Sequence, residues 1–459
     1  MHLDKERAFN WAFRRLIAPF CQRFLPILVL PVGFQRWLLK RRNAGRRRRG
    51  EPLQVVTQLV PIALVWRHED VCEVLGDHER FKVTGFDQRM TECKHRFLLG
   101  FDFTDEYRAD IAELRSVLKP TDRAWIRSIA ERHAQEGVAS AIAKGRVDAV
   151  QDVVGPVVAG FLKEYFGVPD IGKPEPGRIS PLLLLFLDTA SYIFNLEILF
   201  GPTKDAAVAA GTRIKAHLDT LIGARRKTLP STPAANETVL DRLLRIEPSD
   251  ERVQRLLGGT VSGSIAVTFS QCLSVLDRLM DLPDQQRAKV GHVARSDGAD
   301  TPTTRAPADE DLLDRYVREA SRFNPFPPGI LRSCDTQQMI ARGTWRERVL
   351  EAGSIVVALT WSAAFDRRIV PDPCAFQISR DDREYLLFGT GQHHCVGAQT
   401  DRPIAQTLMC QMVKALMALP EIRRADEHGY VERTGRWPST FMLQFDSAEA
   451  HEVRKLQAA

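Results

Sequence analysis

One cysteine in this chain stands in a setting suited to metal chemistry. Cys395 lies in the glycine-rich run 388–397, which reads FGTGQHHCVG and directly precedes a predicted helix. Glycines let a backbone pass close to a flat cofactor, and the start of a helix carries partial positive charge that favours a thiolate. Such a thiolate can be the axial ligand of a haem iron. The alternative is a structural cysteine in a turn, which the glycine and histidine positions around it disfavour.

The run resembles the haem-binding loop of the cytochrome P450 family, FGxGxHxCxG, and every fixed position is filled. The resemblance implies that the chain binds haem b and that Cys395 is the ligand of its iron. It also implies that Phe388, Gly389 and Gly397 form the loop around the cofactor. His393 matches the histidine with which the family binds a haem propionate.

A charged pair upstream extends the resemblance. Glu319 and Arg322 are three residues apart in the predicted helix Asp309–Phe323, so they share a helix face and can pair. Such pairs are common on solvated helices and carry little weight alone. The segments that follow keep the order of the family up to the cysteine loop, so the resemblance is specific over Asp309–Leu419 and general over residues 51–280. It implies that the pair has a structural role, locking the core beneath the haem.

The third member of this charged network differs from the family. An arginine often precedes the phenylalanine that matches Phe376, but Ala375 stands there in this chain. The network therefore either lacks its third member or takes it from Arg380.

The two haem propionates need hydrogen-bond donors. The resemblance assigns Arg332 to this task beside the histidine of the loop. A third donor usually comes from an early helix, which corresponds to Thr104–Leu118 here. Arg115 and Arg108 are the candidates, although both can equally be surface arginines. The tryptophan or histidine that the family usually has there is absent, and Tyr107 occupies that neighbourhood.

The predicted central helix Leu256–Leu282 departs from the family's pattern. Oxygen-activating members carry an acid followed by a threonine, which relay protons during oxygen activation. Counting back from Pro283 puts Ala266 in the place of the acid and Val267 in the place of the threonine. Thr268 lies one position later and points about 100° away on an ideal helix.

Two interpretations of this difference stay open. Either the register is off by one residue, or the enzyme needs no acid–threonine relay because its substrate is a peroxide whose O–O bond already exists. Loss of a general acid typically costs about 10²–10⁴-fold where proton transfer matters. Ser264, Ser262 and Gln271 are further polar candidates, with ordinary helix-internal bonding as their alternative role.

The pattern along the chain predicts a mainly α fold with a small β-rich subdomain, as in the cytochrome P450 family. We expect a basic, partly amphipathic arm over residues 1–50 and a haem domain over 51–459. Helices are expected at Val71–Leu75, Thr104–Leu118, Trp125–Ala143, Ala149–Phe166, Ser180–Leu199, Thr212–Lys227, Leu256–Leu282, Asp309–Phe323 and Gly397–Leu419. Asp284–Pro307 is predicted to be a surface loop because it is polar and rich in turn residues.

Bulk composition restricts the remaining possibilities. The 459 residues are 44% hydrophobic, as in a globular protein, and the eight cysteines form no CxxC pair, which argues for a cytoplasm-like compartment and against zinc. The apolar stretch Phe24–Phe34 is shorter than the about 20 residues of a membrane span. The basic arm either packs on the domain or makes a peripheral membrane contact. Nothing resembles a nucleic-acid-binding module.

The resemblance implies a monooxygenase as the leading prediction. Its substrate should be hydrophobic, because the probable cavity segments Phe97–Phe103 and Leu182–Phe200 are rich in Leu and Phe, although both segments fit a plain hydrophobic core equally well. A peroxygenase or a fatty-acid hydroperoxide isomerase is the alternative, and a non-catalytic haem protein that binds a ligand is the third. No GxGxxG motif for a bound dinucleotide occurs, so electrons for a monooxygenase would come from a ferredoxin- or flavin-type partner.

Overall fold

The computed structural model describes most of the chain: residues 9–30, 33–35, 37, 41, 60–94, 96–172, 179–194, 204–296, 307–398, 403–425, 432–434 and 437–448. Helices dominate these residues and the strands are short, which confirms the predicted mainly α class with a small β-rich part. The loose alternation of apolar residues over Leu53–Val65 predicts a strand, a turn and a second strand. The second strand is present at Ile62–Val65, and residues 53–59 lie outside the described part of the chain.

The α-helices are numbered here in chain order. They are α1 Ala18–Phe24, α2 His68–Gly76, α3 Thr84–Glu92, α4 Asp105–Val117, α5 Arg123–Ala141, α6 Gly155–Phe161, α7 Pro181–Ile193, α8 Lys204–Thr228, α9 Val239–Ile246, α10 Asp250–Met280, α11 Asp284–Ser296, α12 Pro307–Phe323, α13 Thr360–Ala363 and α14 Ile404–Met417. Short π-helices occur at Phe13–Ile17, Ala149–Val154 and Leu162–Phe166. Short 3-10 helices occur at Leu98–Gly100, Pro120–Asp122, Ile142–Lys144, Asp382–Glu384 and Val396–Ala398.

The strands form four small sheets. They are β1 Ile27–Leu30, β2 Ile62–Val65, β3 Arg146–Asp148, β4 Ile330–Ser333, β5 Gln338–Ile340, β6 Arg348–Leu350, β7 Ile355–Ala358, β8 Arg423–Arg424, β9 Glu432–Thr434, β10 Trp437–Thr440 and β11 Met442–Gln444. The largest sheet has the order β1-β2-β7-β4, in which only β2 and β7 are parallel. The others pair β10 with β9, β11 with β3 and β8, and β5 with β6.

The 31-residue helix α10 runs through the main hydrophobic core. Ser249 caps its start by accepting a hydrogen bond from the amide of Arg252 at 3.3 Å, and Asp250 and Glu251 occupy the first turn, where carboxylates are favourable. Among the described residues, α10 alone is long and apolar enough to cross a membrane, and 78% of its most apolar window is buried inside the fold. Its apolarity therefore reflects its place in the core.

The predicted loop Asp284–Pro307 is wrong over its first half, because α11 occupies Asp284–Ser296. The amides of Gln286 and Arg287 donate to the carbonyl of Pro283 and so start the helix directly after α10. A narrow apolar stripe that includes Val290 is buried, while most other positions are polar and exposed. One buried stripe is enough to hold a surface helix, and polar composition alone hides it.

The basic arm is described over residues 9–30 and at a few later positions, and this part packs on the domain. Strand β1 pairs antiparallel with β2, from Ile27 opposite Val65 to Leu30 opposite Ile62. The ring of Phe13 stacks on that of Trp361 with 3.8 Å between centroids. The packing face of the arm is therefore part of the fold.

Candidate active site

The cysteine loop folds tightly against α2. Gly389 and Gly391 adopt left-handed backbone conformations, with φ of 70° and 76°. A Cβ atom on Gly391 would lie 2.6 Å from the carbonyl oxygen of Leu75, so only glycine allows this approach. The amide of Cys395 donates to the carbonyl of Phe388 at 3.1 Å and closes the loop. The glycine spacing seen in the sequence thus has a direct geometric cause.

The helix behind Cys395 does not begin where the sequence predicted. The short 3-10 helix Val396–Ala398 follows the cysteine, and α14 begins only at Ile404, so the predicted start at Gly397 is wrong. Pro403 is extended, with ψ of 139°, and lies just before the first helical residue, where its missing N–H costs no helical bond. Burial raises the pKa of the Cys395 thiol, while the amides of Gly397 and Ala398 lower it. Local support for a thiolate therefore comes from these two amides.

One cavity brings together most of the residues singled out by the sequence. It is lined by Ser264, Val267, Thr268, Arg332, Phe388, Gly389, His393, Cys395 and Gly397. Ala266, Arg108 and Arg115 do not line it. Helix α10, strand β4 and the cysteine loop thus converge on one space, which is the candidate active site.

Two basic side chains of the cavity have incomplete sets of partners: among the described residues, Arg332 has no ion-pair partner, and one ring nitrogen of His393 has no hydrogen bond. Arg332 is buried and donates to the carbonyl of Leu331 at 2.8 Å, and no described carboxylate lies within ion-pair distance of it. Burial lowers the pKa of Arg332 to about 10. The Nδ1 atom of His393 is buried without a described hydrogen-bond partner, and burial, together with Arg332 and His78, lowers the pKa of this imidazole to about 3. An unpaired buried cation and an unsatisfied ring nitrogen fit the two carboxylates of a haem.

Helix α4 presents a tyrosine rather than an arginine to this part of the site. The hydroxyl of Tyr107 donates to the carbonyl of Gln392 at 2.5 Å, and its ring centroid lies 5.0 Å from that of His393. Arg108 pairs at the surface with the aspartate three residues before it, and Arg115 is exposed. Tyr107 therefore supports His393 from the position where the family usually has a tryptophan or histidine.

Helix α10 turns two adjacent rows of side chains toward the cavity. The rows are Thr260, Ser264 and Thr268, and Gly263, Val267 and Gln271. Ala266 is fully buried on another face of the helix. The hydroxyl of Ser264 donates to the carbonyl of Val261 at 3.3 Å, whereas that of Thr268 makes no hydrogen bond with the described residues. Thr268 thus offers a hydroxyl to the cavity although it lies one position beyond Val267.

The two other polar candidates on α10 have different surroundings. Gln271 donates to the carbonyl of Asn324 at 3.3 Å and accepts from the amide of Phe326 at 2.7 Å. It therefore fixes the segment after α12 against the cavity. The hydroxyl of Ser262 is buried with no described partner, and Ser262 does not line the cavity.

A fully buried charged network lies beneath the site. Glu319 and Arg322 form a two-bond pair with N–O distances of 2.8 and 3.0 Å. Arg380 also donates to Glu319, at 3.2 Å, and Tyr385 donates to the same carboxylate at 3.2 Å. Arg322 further donates to the carbonyl of Ala364, at 2.8 Å. Of the two alternatives for the third member, the contacts favour Arg380.

Several aromatic residues of the cavity carry no signal in the sequence. These are Phe86, Phe161 and Phe166, with Phe326 after α12. Within the predicted lining segment Phe97–Phe103, Phe97 and Leu99 reach the cavity. Within Leu182–Phe200, only Phe194 does so among the described residues, and 195–200 lie outside them. Helical spacing cannot distinguish a side chain that faces a cavity from one that faces the core.

Comparison with known proteins supports the interpretation of the cavity at Cys395 as a haem site. The chain is 26% identical over 395 residues to mycinamicin IV hydroxylase/epoxidase of Micromonospora griseorubida, covering 83% of this chain and 87% of that protein. It is 24% identical over 381 residues to nocardicin C N-oxygenase of Nocardia uniformis subsp. tsuyamanensis, covering 79% of this chain and 83% of that protein.

The fold and a family model agree with these relatives. The crystal structure of the cytochrome P450 enzyme CYP109B1 from Bacillus subtilis superimposes with a TM-score of 0.66 at 15% identity, covering 94% of this chain and 98% of that one. The family model "Cytochrome P450" matches residues 183–419, just over half of the chain. The chain therefore belongs to the cytochrome P450 family of oxidoreductases, which use a haem–thiolate cofactor.

Proposed function

We propose that this protein is a haem b monooxygenase that oxidises a hydrophobic small molecule, with Cys395 as the thiolate ligand. The observation that carries the proposal is the convergence of Cys395, the unpaired Arg332 and an aromatic wall on one cavity. When bound, haem supplies the chemistry that transfers oxygen to a substrate. The protein must hold that cofactor, exclude water and orient the substrate.

The residues that would hold haem are each suited to one part of it. Cys395 would hold the iron through its thiolate, and the backbone bond from its amide to Phe388 fixes the residue in the loop. Arg332 and His393 would bind the propionates through charge-assisted and neutral hydrogen bonds. Tyr107 braces His393 by its contacts with the loop. We assign no propionate contact to Arg108 or Arg115, since neither lines the cavity.

The chemistry of the wall supports an apolar substrate. Phenylalanine and leucine dominate it, and Arg332 is the one charged side chain among its described residues, apart from the titratable His393. No described carboxylate faces the cavity to bind an amine. Apolar pockets of this kind bind by burying hydrophobic surface and use few polar groups for orientation.

Proton delivery in this site would be atypical. No acid lines the described cavity, and the polar side chains of α10 that line it are those of Thr260, Ser264, Thr268 and Gln271. Thr268 can hold and pass a proton, because its hydroxyl makes no bond with the described residues. The lack of an acid also supports a second candidate, a peroxygenase or hydroperoxide isomerase, whose substrate already contains the O–O bond.

Product analysis with the haem-loaded protein distinguishes these candidates. Fatty acids and their hydroperoxides are supplied with and without NADPH and a ferredoxin- or flavin-type donor. A monooxygenase forms product only with dioxygen and electrons, whereas a peroxide user converts hydroperoxides without any donor. Ligand-dependent spectra with no product under either condition would leave only a binding protein.

A matched pair of variants tests the proton pathway. Thr268→Val should lower dioxygen-driven product formation by at least about tenfold, within the range expected for lost acid–base assistance. Thr260→Val is the control, since its hydroxyl already donates to the carbonyl of Leu256 at 2.7 Å. Equal activities of the two variants would remove Thr268 from the mechanism.

The absence of cystine supports a reducing, cytoplasm-like compartment for this enzyme. All eight cysteines are described and all are free. An electron-donating partner protein would be available in such a compartment. Expression of the protein in a reducing cytosol should therefore yield fully haem-loaded protein. The ratio of haem absorbance to polypeptide concentration measures this loading.

A further inference from the structure

The basic charge of the chain is concentrated in one segment. Residues 7–50 contain 12 Lys or Arg and no Asp or Glu. Of the 64 Lys and Arg in the whole sequence, 52 remain elsewhere against 58 Asp and Glu, so the rest of the chain has a net charge of −6. A segment of this kind is attracted to anionic surfaces while the body it is attached to is not.

One face of this segment is fixed to the domain. Arg67 donates to the carbonyl of Gln22 at 2.6 Å, and Gln22 donates to the carbonyl of Ser362 at 2.8 Å. Arg14 donates to the side chain of Asn324, at 2.5 Å. Residues 9–30 of the segment are thus held in place before any partner arrives, so this part loses little conformational entropy on docking.

The opposite face carries large apolar side chains in solvent. Leu16, Phe20 and Phe24 recur every four residues and are 59%, 53% and 57% exposed. Together with their exposed neighbours they form what we call the arm patch: Phe9, Trp11, Leu16, Phe20, Phe24, Phe34 and Trp37. Nine of the 14 exposed large hydrophobic residues in the described chain lie between residues 9 and 37. Such concentration marks an interaction site, whereas scattered exposure does not.

Arginines stand directly beside the aromatic rings of the arm patch. The guanidinium carbons of Arg15 and Arg23 lie 5.6 Å and 5.3 Å from the ring centroids of Trp11 and Phe24. Arg41 stands in the same relation to Trp37, at 5.4 Å. An aromatic ring with a cation over its face suits the boundary of a bilayer, where the ring enters the acyl region and the cation meets phosphates.

We propose that the arm patch docks the folded protein on an anionic lipid surface. The protein would lie at the interface without spanning it, since apolar burial and the attraction of cations to acidic headgroups act together there. Of the 12 cations, Arg14 is not available for this, because it is bonded to Asn324 of the domain. A second copy of the chain fits less well because the two basic segments would repel each other. A nucleic acid would meet the cations but leave the apolar side chains without partners.

Vesicle sedimentation of the full-length, haem-loaded protein tests this proposal. We expect binding to phosphatidylcholine vesicles with about 30% phosphatidylserine, weaker binding at high salt, and little binding to phosphatidylcholine alone. Phe20→Ser/Phe24→Ser should weaken binding by about tenfold or more. Ile246→Ser/Val349→Ser is the matched control, because these exposed residues lie outside the arm patch. Arg15→Gln/Arg23→Gln should also weaken binding to anionic vesicles about tenfold.

Folding of each variant is checked by its haem absorbance and circular dichroism. Equal binding to neutral and anionic vesicles, or equal binding by the two serine pairs, would overturn the proposal. So would the absence of vesicle binding by the unmodified protein. Binding of a DNA duplex that survives Phe20→Ser/Phe24→Ser would assign the segment to nucleic acid. A dimer that this variant dissociates, with vesicle binding unchanged, would assign it to a second copy.

Discussion

Arg380 should stabilise the haem domain as strongly as a member of the buried Glu319–Arg322 pair. Its side chain is 1% exposed and bonds to both Glu319 and Glu384, at 3.2 and 3.0 Å. It also donates to three backbone carbonyls, those of Pro371, Asp372 and Ala375. Arg380→Met keeps much of the volume and removes every one of these bonds.

The expected loss is set by what the variant leaves behind. Removing one partner of a buried ion pair typically costs about 3–5 kcal/mol, because a charge stays buried without full compensation. Glu319 retains Arg322 and Tyr385, but Glu384 and the carbonyls lose their buried donor. We therefore expect Arg380→Met to lower the free energy of unfolding by about 3–5 kcal/mol.

Urea unfolding of the haem-loaded protein, followed by circular dichroism and haem absorbance, measures this loss. Arg383→Met is the control, since Arg383 is 83% exposed and its partner Asp381 lies 3.6 Å away; we expect it to change stability by less than about 0.5 kcal/mol. Because Arg322 and Arg380 share Glu319, Arg322→Met/Arg380→Met should deviate from additivity by about 0.5–3 kcal/mol. Equal unfolding midpoints for Arg380→Met and Arg383→Met would refute the network.

Three further outcomes are expected. Cys395→Ser should remove the red-shifted band of the reduced, CO-bound protein, and an unchanged spectrum would show that another atom ligates the iron. Val267→Thr should raise the fraction of NADPH electrons that reach product by about tenfold if missing proton delivery limits the enzyme; unchanged coupling would favour a peroxide substrate. Gly391→Ala should destabilise the protein by about 1–3 kcal/mol more than Gly353→Ala, because both have positive φ but only Gly391 abuts backbone. Thermal unfolding of these two variants measures that difference.

The residues that the sequence predicted best are those fixed by local pattern. The cysteine loop is short, and its glycines are required by positive φ and by contact with α2. The glycine positions in the sequence were therefore enough to predict the shape of the loop. The pairing of Glu319 with Arg322 likewise depends on one helical turn. Neither prediction needed knowledge of the tertiary fold.

Long-range packing accounts for what the sequence could not supply. Phe86 and Phe161 come from the separate helices α3 and α6 and meet at the cavity only because of the tertiary fold. Arg380 could be no more than an alternative, since 61 residues separate it from Glu319. The helical spacing already indicates that Arg115 is exposed and is a poor candidate for binding a propionate. Ile111 and Leu114 mark the buried stripe of α4, and Arg115 lies beside that stripe.

An acid at position 266 of α10 could not deliver protons to the cavity. Position 266 is fully buried and faces away from the cavity, so a carboxylate there would be desolvated without reaching the site. Val267 and Thr268 do face the cavity, on the two rows that run along it. Any proton supplied by α10 must therefore pass through the hydroxyl of Thr268, because those of Thr260 and Ser264 donate to the carbonyls of Leu256 and Val261. A hydroxyl is a weaker proton donor than a carboxylic acid, so proton delivery along this path would be less effective. The difference would matter little for a peroxide substrate, which already contains the O–O bond.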